Sequence, residues 1–197
     1  MPVQVRSLTS ISELAKGSVK IDDLLEIDIS ELLGRKISLP NESLLKTNIA
    51  NKVVLITGAG GSIGSELCRQ VVLLKPKKLI IFDISESSLY QIEQELKRME
   101  FNSLNIVPVL GSIGDQLRVE GILKEFRVNT IYHAAAYKHV PLVEFNQSEG
   151  VMNNSIGTLI LAQASIKANV EIFVLVSTDK AVRPTNIMGA SKRVAEL

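Results

Sequence analysis

One stretch constrains this chain more than any other: Val53–Gly64, reading VVLITGAGGSIG. An apolar run passes straight into glycines at 58, 60, 61 and 64, and a helical pattern begins at once. That order predicts a strand, a tight turn and a helix whose start lies close to the strand end. Gly58 allows the turn, Gly61 lets a pyrophosphate approach the backbone, and Gly64 lets helix and strand pack closely. The N–H groups at the helix start, in the turn that carries Ser62 and Ile63, then face anionic oxygens with help from the helix dipole. The spacing is T-G-x-x-G-x-x-G, and no Lys-Ser/Thr pair follows it, which excludes a nucleoside-triphosphate P-loop.

The rest of the chain agrees with that beginning. Apolar runs rich in Val, Ile and Leu recur at Val53–Thr57, Lys78–Asp83, Asn105–Leu110, Thr130–Ala134 and Glu171–Val176. They do not alternate with polar residues, as expected of strands covered on both faces of a parallel sheet. Helical patterns fall between them at Ile63–Leu74, Ser88–Met99, Gln116–Phe126 and Val151–Ala168, with a last one from Asn186 to Leu197. Such alternation predicts an α/β, Rossmann-like doubly wound parallel sheet with strand order 3-2-1-4-5. Residues 1–50 read differently, as a short helical N-terminal arm. Asp28 and Ser30 are candidate N-caps for a helix ending at Gly34, and Pro40-Asn41 is a turn before a second helix. The domains are therefore 1–50, arm, and 51–197, dinucleotide-binding. A dinucleotide fold of this kind has six strands. Five are visible, so the 197 residues are expected to stop before the sixth strand and a substrate lobe, and to be inactive alone.

The second strand ends at Asp83, nineteen residues past Gly64. An acid there hydrogen-bonds the adenosine ribose and repels a 2′-phosphate, which favours NAD. Capping of the next helix is the plainer role for Asp83, and Ser85 is able to take either part. Ligands in open α/β sheets lie beyond the carboxyl ends of the strands. Ala134, Ala135 and Ala136 are small where the fourth strand ends, and Ser177, Thr178, Asp179 and Lys180 follow the fifth. Ser112 and Ile113 end the third and are placed to line an adenine pocket.

Composition removes several alternatives. Net charge is +1 and aromatics are 4% with no Trp, which argues against a nucleic-acid surface. The single cysteine, Cys68, forms neither an internal disulfide nor a cysteine-based metal site, reads as core filler, and fits a reduced, cytoplasmic setting. No apolar run reaches the roughly 18 residues of a membrane span, and residues 1–10 lack the apolar stretch of a signal peptide.

Four ordered motifs, TGAGGSIGSELCRQ, HAAAYKHVP, NNSIGT and STDKAVRPTNIMGASK, resemble the extended short-chain dehydrogenase/reductase superfamily. More narrowly they resemble the nucleotide-sugar 4,6-dehydratases of bacterial capsule, O-antigen and glycan biosynthesis, UDP-N-acetylglucosamine 4,6-dehydratase above all. The likeness covers about residues 50–197. The arm is similar to the segment that joins membrane helices to the catalytic domain in long members, so a parent anchored to the inner membrane is part of what the likeness implies.

The resemblance implies a redox-neutral lyase reaction on a UDP-sugar with NAD: C4 oxidation, C5 deprotonation, loss of water from C6 and hydride return to C6. It implies that Thr178 bonds the C4 oxygen, Asp179 protonates the leaving C6 hydroxyl and Lys180 removes the C5 proton. It places Lys138, His139 and Asn154 near substrate, and it implies a homo-oligomer paired through the helices after strands four and five. Two departures stand out. The family's Tyr-x-x-x-Lys appears as Met188-Gly-Ala-Ser-Lys192, both on one helix face. A thioether has no proton to exchange, so the base for C4 oxidation stays open among Lys180, Lys192 acting through the nicotinamide ribose, and Thr178. A branch of long members carries Met at this position, and the other reading of Met188 is a catalytically silent chain. Ser112 stands where the family often has an acid facing adenine. A 4-epimerase of the same fold and a non-enzymatic NAD-binding scaffold are the rival functions; the Asp179-Lys180 pair argues against the first, because an epimerase needs no acid at C6.

Overall fold

The computed structural model describes residues 41–99 and 104–197, with the two-residue strands Arg6–Ser7 and Leu25–Glu26. The chain divides into two compact units, Met1–Asn41 and Glu42–Leu197. In the first, Arg6 pairs with Glu26 and Ser7 with Leu25 in antiparallel fashion, a pairing the helical reading of the arm did not anticipate. The helix expected to end at Gly34, with its caps Asp28 and Ser30, lies outside the described residues. The helix expected after Pro40 is present as α1 (Glu42–Ile49), but it belongs to the second unit. Ile49 is buried in that unit's core, and the Thr130 hydroxyl donates to the Asn48 carbonyl at 2.7 Å.

The second unit is built on five parallel strands: β1 (Val53–Thr57), β2 (Lys78–Asp83), β3 (Asn105–Leu110), β4 (Thr130–His133) and β5 (Ile172–Leu175). Their spatial order is β3-β2-β1-β4-β5, as the alternation of patterns predicts. Successive side chains of a strand point to opposite faces, and β1 buries both. Val53 and Leu55 join Ile80, Phe82, Ile131 and Leu161 on one side. Val54 and Ile56 join Cys68, Leu79, Ile81 and Leu96 on the other. Each such aliphatic side chain contributes about 1.5–3 kcal/mol on burial. Cys68 is fully buried, and burial pushes its thiol up to about 12, which fits filler rather than chemistry. Pro108 lies on β3, the outer strand beside β2, where a missing N–H does least harm.

Helices α2 (Ser62–Leu73), α3 (Glu86–Arg98) and α4 (Gln116–Phe126) follow the first three strands. Asp115 caps α4 by accepting from the Arg118 N–H at 3.0 Å. After β4 the sequence pattern predicted one helix over Val151–Ala168. The structure instead runs α5 (Val140–Phe145), α6 (Gln147–Val151), a π-helical turn (Met152–Ile156) and α7 (Gly157–Lys167). Pro141 opens α5, where its missing N–H costs nothing. The last helix, α8 (Ile187–Glu196), is capped by Asn186, whose side chain accepts from the Gly189 N–H at 2.8 Å. Among the described residues, no helix is long and apolar enough to cross a membrane.

Candidate cofactor and active site

The carboxyl ends of β1, β2, β3 and β4 open on a cleft of about 210 Å³. Its floor is the glycine loop. Gly58 has φ +66°, and a Cβ there would stand 2.6 Å from Ala135 Cα; a Cβ on Gly64 would stand 1.9 Å from the Gly58 carbonyl oxygen. Neither position accepts a side chain, so the loop is shaped by the absence of Cβ atoms. Gly61 precedes α2 in an extended conformation with no side-chain cap.

Of the two readings given to Asp83, the cap of α3 falls to Ser85, and Asp83 holds backbone instead. Its carboxylate accepts from the Gly60 N–H and the Ser85 N–H, each at 2.8 Å, which ties the glycine loop to the end of β2. It also lines the cleft, and an ionised carboxylate has about four acceptor sites, so two remain. Ser85 itself is occupied as the N-cap of α3, accepting from Ser88 N–H at 3.4 Å; Ser88, not Ser85, lines the cleft. Ser112 and Ile113 stand at the β3 end of the cleft, and Ala134, Ala135 and Ala136 at the β4 end. Tyr137 and Asn153 also line it. Sequence reasoning passed over both, although Tyr137 sits inside the HAAAYKHVP motif.

A second cleft, of about 260 Å³, adjoins the first through Ala134, Ala136 and Tyr137. It gathers Ile63, Lys138, Ser177, Thr178, Lys180, Met188 and Lys192. Met188 and Lys192 are one turn apart on α8 and both are buried. Lys192 Nζ donates to the Val176 carbonyl at 2.8 Å. Burial holds its ammonium below the usual lysine value, and Glu196 partly offsets this. Glu144 on α5 accepts from the Ile187 N–H at 2.5 Å, which clamps the segment after β4 to the start of α8.

Thr178, Asp179 and Lys180 begin a single 3₁₀ turn, Asp179–Ala181. The side chain of Lys180 is half exposed, and its Nζ lies 3.8 Å from Asp179 Oδ1. The Thr178 hydroxyl donates to Asp179 Oδ1 at 3.0 Å. That bond, then the Lys180 charge, holds the Asp179 carboxyl below its usual range. Asp179 is 89% exposed along its side chain and does not line the cleft, whereas Thr178 and Lys180 do. Ser177 donates to a Glu196 carboxylate oxygen.

The three residues expected near substrate separate. Lys138 Nζ lies 3.4 Å from Ser62 Oγ, across the mouth between the glycine loop and the β4 segment. His139 precedes α5 and lines an adjoining hollow of about 430 Å³ with Leu142 and Val143. Asn154 does not reach either cleft: it is fully buried in the π-helical turn. Its amide is spent on the Tyr137 backbone, accepting from N–H at 2.8 Å and donating to C=O at 3.0 Å, and on Ser191 Oγ at 3.1 Å. π-helical turns concentrate at functional sites, and this one aims an amide at the loop that separates the two clefts.

A parallel sheet with its ligand edge formed by a glycine cradle defines the Rossmann-like class, and this unit is a member of it. Residues 54–197 match the model of the polysaccharide biosynthesis protein family, and the chain belongs to that family. It is 40% identical over 195 residues to the capsular polysaccharide biosynthesis protein CapD of Staphylococcus aureus, which covers 99% of this chain and 33% of that relative. It is 34% identical over 152 residues to a UDP-N-acetylglucosamine 4,6-dehydratase (inverting) of Campylobacter jejuni, and 33% identical over 149 to a UDP-glucose 4-epimerase of Rickettsia rickettsii. Each of these matches covers 74% of this chain and 42% of the relative. Among solved structures, DesIV, a dTDP-glucose 4,6-dehydratase from Streptomyces venezuelae with NAD and TYD bound, superposes with a TM-score of 0.62 at 25% identity. That match covers 73% of this chain and 49% of the other. The chain thus spans between a third and a half of the proteins it matches.

Proposed function

We propose that this chain is the cofactor-binding part of an NAD-dependent UDP-N-acetylhexosamine 4,6-dehydratase acting in surface polysaccharide or glycan biosynthesis. The observation that carries the reading is the second cleft, where Thr178 and Lys180 face Met188 and Lys192 directly beside the glycine cradle. The first cleft suits a dinucleotide: glycine backbone for the pyrophosphate, Asp83 for the ribose, Ser112 and Ile113 beside the adenine. NAD bound there would supply a hydride acceptor and donor at its nicotinamide.

The protein's own groups do the rest. Lys192, held by Val176, orients the nicotinamide ribose. Thr178 hydrogen-bonds the C4 oxygen of the sugar. Lys180, in its neutral form, takes the C5 proton. Asp179 delivers a proton to the departing C6 hydroxyl. In the free protein Asp179 is ionised and faces solvent, so its acid role depends on substrate drawing it inward and raising its pKa. Lys138 and His139 take the sugar diphosphate, while Asn154 acts from behind by fixing Tyr137. Exposed Met152, Ile156 and Leu159 follow one another along the π-helical turn and α7, which supports pairing with a second copy.

Titrating the chain with NAD and NADP tests the first part; tighter binding of NADP would sink it. Incubating a protein that carries this chain at the length of its relatives with UDP-N-acetylglucosamine tests the second. A product lighter by one water supports dehydration, and a product of unchanged mass makes it a 4-epimerase.

A further inference from the structure

His133 ends β4 and is fully buried, yet it belongs to none of the roles above. Its ring lies between two threonines. Nδ1 is 2.6 Å from Thr57 Oγ1 on β1, and Nε2 is 2.9 Å from Thr158 Oγ1 on α7. Proton counting fixes the direction of every bond. The Thr158 hydroxyl donates its one proton to the Asn154 carbonyl at 2.7 Å. Thr158 therefore accepts from the ring, and the imidazole proton sits on Nε2. Nδ1 is then the acceptor for the Thr57 hydroxyl, whose oxygen in turn accepts from the Ala135 N–H at 3.4 Å.

The chain of bonds continues through Asn154 to Tyr137 and to Ser191, whose hydroxyl donates to the Met188 carbonyl at 2.8 Å. It starts at the strand feeding the glycine loop and ends on the helix that carries Lys192. A second proton on His133 would force Nδ1–H against Thr57 and leave the Thr57 proton without its acceptor. Burial, then the charge of Lys192, disfavours that second proton. The Phe173 ring stands 6.1 Å away on β5.

We infer that His133 is a positioning residue: a neutral imidazole held as the Nε2–H tautomer, which joins the cofactor cradle to the Lys192 helix so that the two clefts keep one geometry. The hydrogen-bond part of this stands on the buried network alone; its consequence for NAD rests on the function proposed above.

Two measurements on the 197-residue chain test it. The protein has two histidines, so ¹⁵N-detected imidazole spectra separate readily. The expected result is a His133 ring protonated on Nε2 only and unchanged from neutral pH down to about pH 4. A ring protonated on Nδ1, or one gaining its second proton near neutral pH, overturns the proposal. The second measurement compares Thr158→Val with Thr158→Ser. Valine is expected to shift the Tyr137 and Ser191 amide signals and to weaken NAD binding about tenfold, although Thr158 lines neither cleft; serine is expected to restore both. Valine without effect, or serine as damaging as valine, overturns the coupling. An unmodified chain that fails to bind NAD sinks the cofactor reading, and the amide signals then decide the coupling by themselves.

Discussion

The glycine cradle and the 3₁₀ turn Asp179–Ala181 sit side by side at one sheet edge, yet they differ in how far their side chains are committed. The cradle is backbone packed on backbone: Gly64 against the Gly58 carbonyl, with the core strand β1 directly beneath. Its polar fixing point is one carboxylate, Asp83, that receives two backbone N–H groups. The Asp179–Ala181 turn also rests on backbone, with the Ala181 and Val182 N–H groups donating to the Thr178 and Asp179 carbonyls and Gly189 packed on the Lys180 carbonyl, but its polar side chains stand partly in water. Lys180 is half exposed, Asp179 nearly wholly so, and the bonds between them are short-range and local. The difference teaches a division of labour. Under the proposed function, a dinucleotide site would need a fixed shape before binding, whereas an acid and a base would have to change environment when substrate arrives.

The comparison breaks most easily at the cradle. Gly64→Ala should abolish NAD binding and destabilise the fold by about 3 kcal/mol, the upper end of overpacking costs, as read by calorimetric titration and urea unfolding. A variant that binds NAD normally would mean that the loop is far softer than its packing indicates. Next in size is Lys180→Ala. Loss of a general base should lower turnover by about 10²–10⁴-fold in the full-length protein, while NAD affinity and unfolding midpoint stay put because the side chain is half in solvent. If stability fell as well, the turn would be structural rather than catalytic.

A smaller effect tests the seam between the regions. The His133 ring is pushed down to about 3 by burial and then by the Lys192 charge, against about 6.5 in an unfolded chain. Between those values the unfolded state binds the extra proton, so stability falls as pH falls from about 6.5 toward 3, by at most about 1.4 kcal/mol per unit. Glu66, Glu95, Glu120 and Glu171 are all held below their usual value by hydrogen-bonded or cationic neighbours. Their stabilisation begins to be lost about one unit above 4.5, so among the described residues the window from 6.5 to 5.5 reports chiefly the histidine. Unfolding curves there should slope for the native protein and flatten for His133→Asn. The smallest effect gives the background. Lys97→Ala removes a partly exposed i,i+4 pair with Glu93 on α3 and should cost about 0.3–0.5 kcal/mol in urea unfolding, with NAD affinity unchanged.

Legibility in the sequence followed the same division. The first three strands, the glycine loop and the place of Asp83 at the end of β2 were readable because each depends on local rules: apolar runs and missing Cβ atoms. Met188 and Lys192 were legible through the resemblance to the family's Tyr-x-x-x-Lys, and their i, i+4 spacing put both on one helix face. The segment after β4 was not. Its break into α5, α6, a π-helical turn and α7 answers to Asn154 bonding Tyr137 and Ser191, partners 17 and 37 residues away. Nor was the outward face of Asp179 readable, since a strand-end position fixes where a residue begins and not where its carboxylate turns.

The sequence by itself determined the sheet order, the cradle and the family, because hydrophobic period and glycine placement act over a few residues and tolerate no substitute. Only the tertiary structure decided which of the polar residues face the clefts. Asn154 and His133 are as polar as Lys138 and Thr178, and nothing local distinguishes them. Burial does: inside, every donor must find its acceptor, so those two residues hold the protein together while Lys138 and Thr178 line the second cleft.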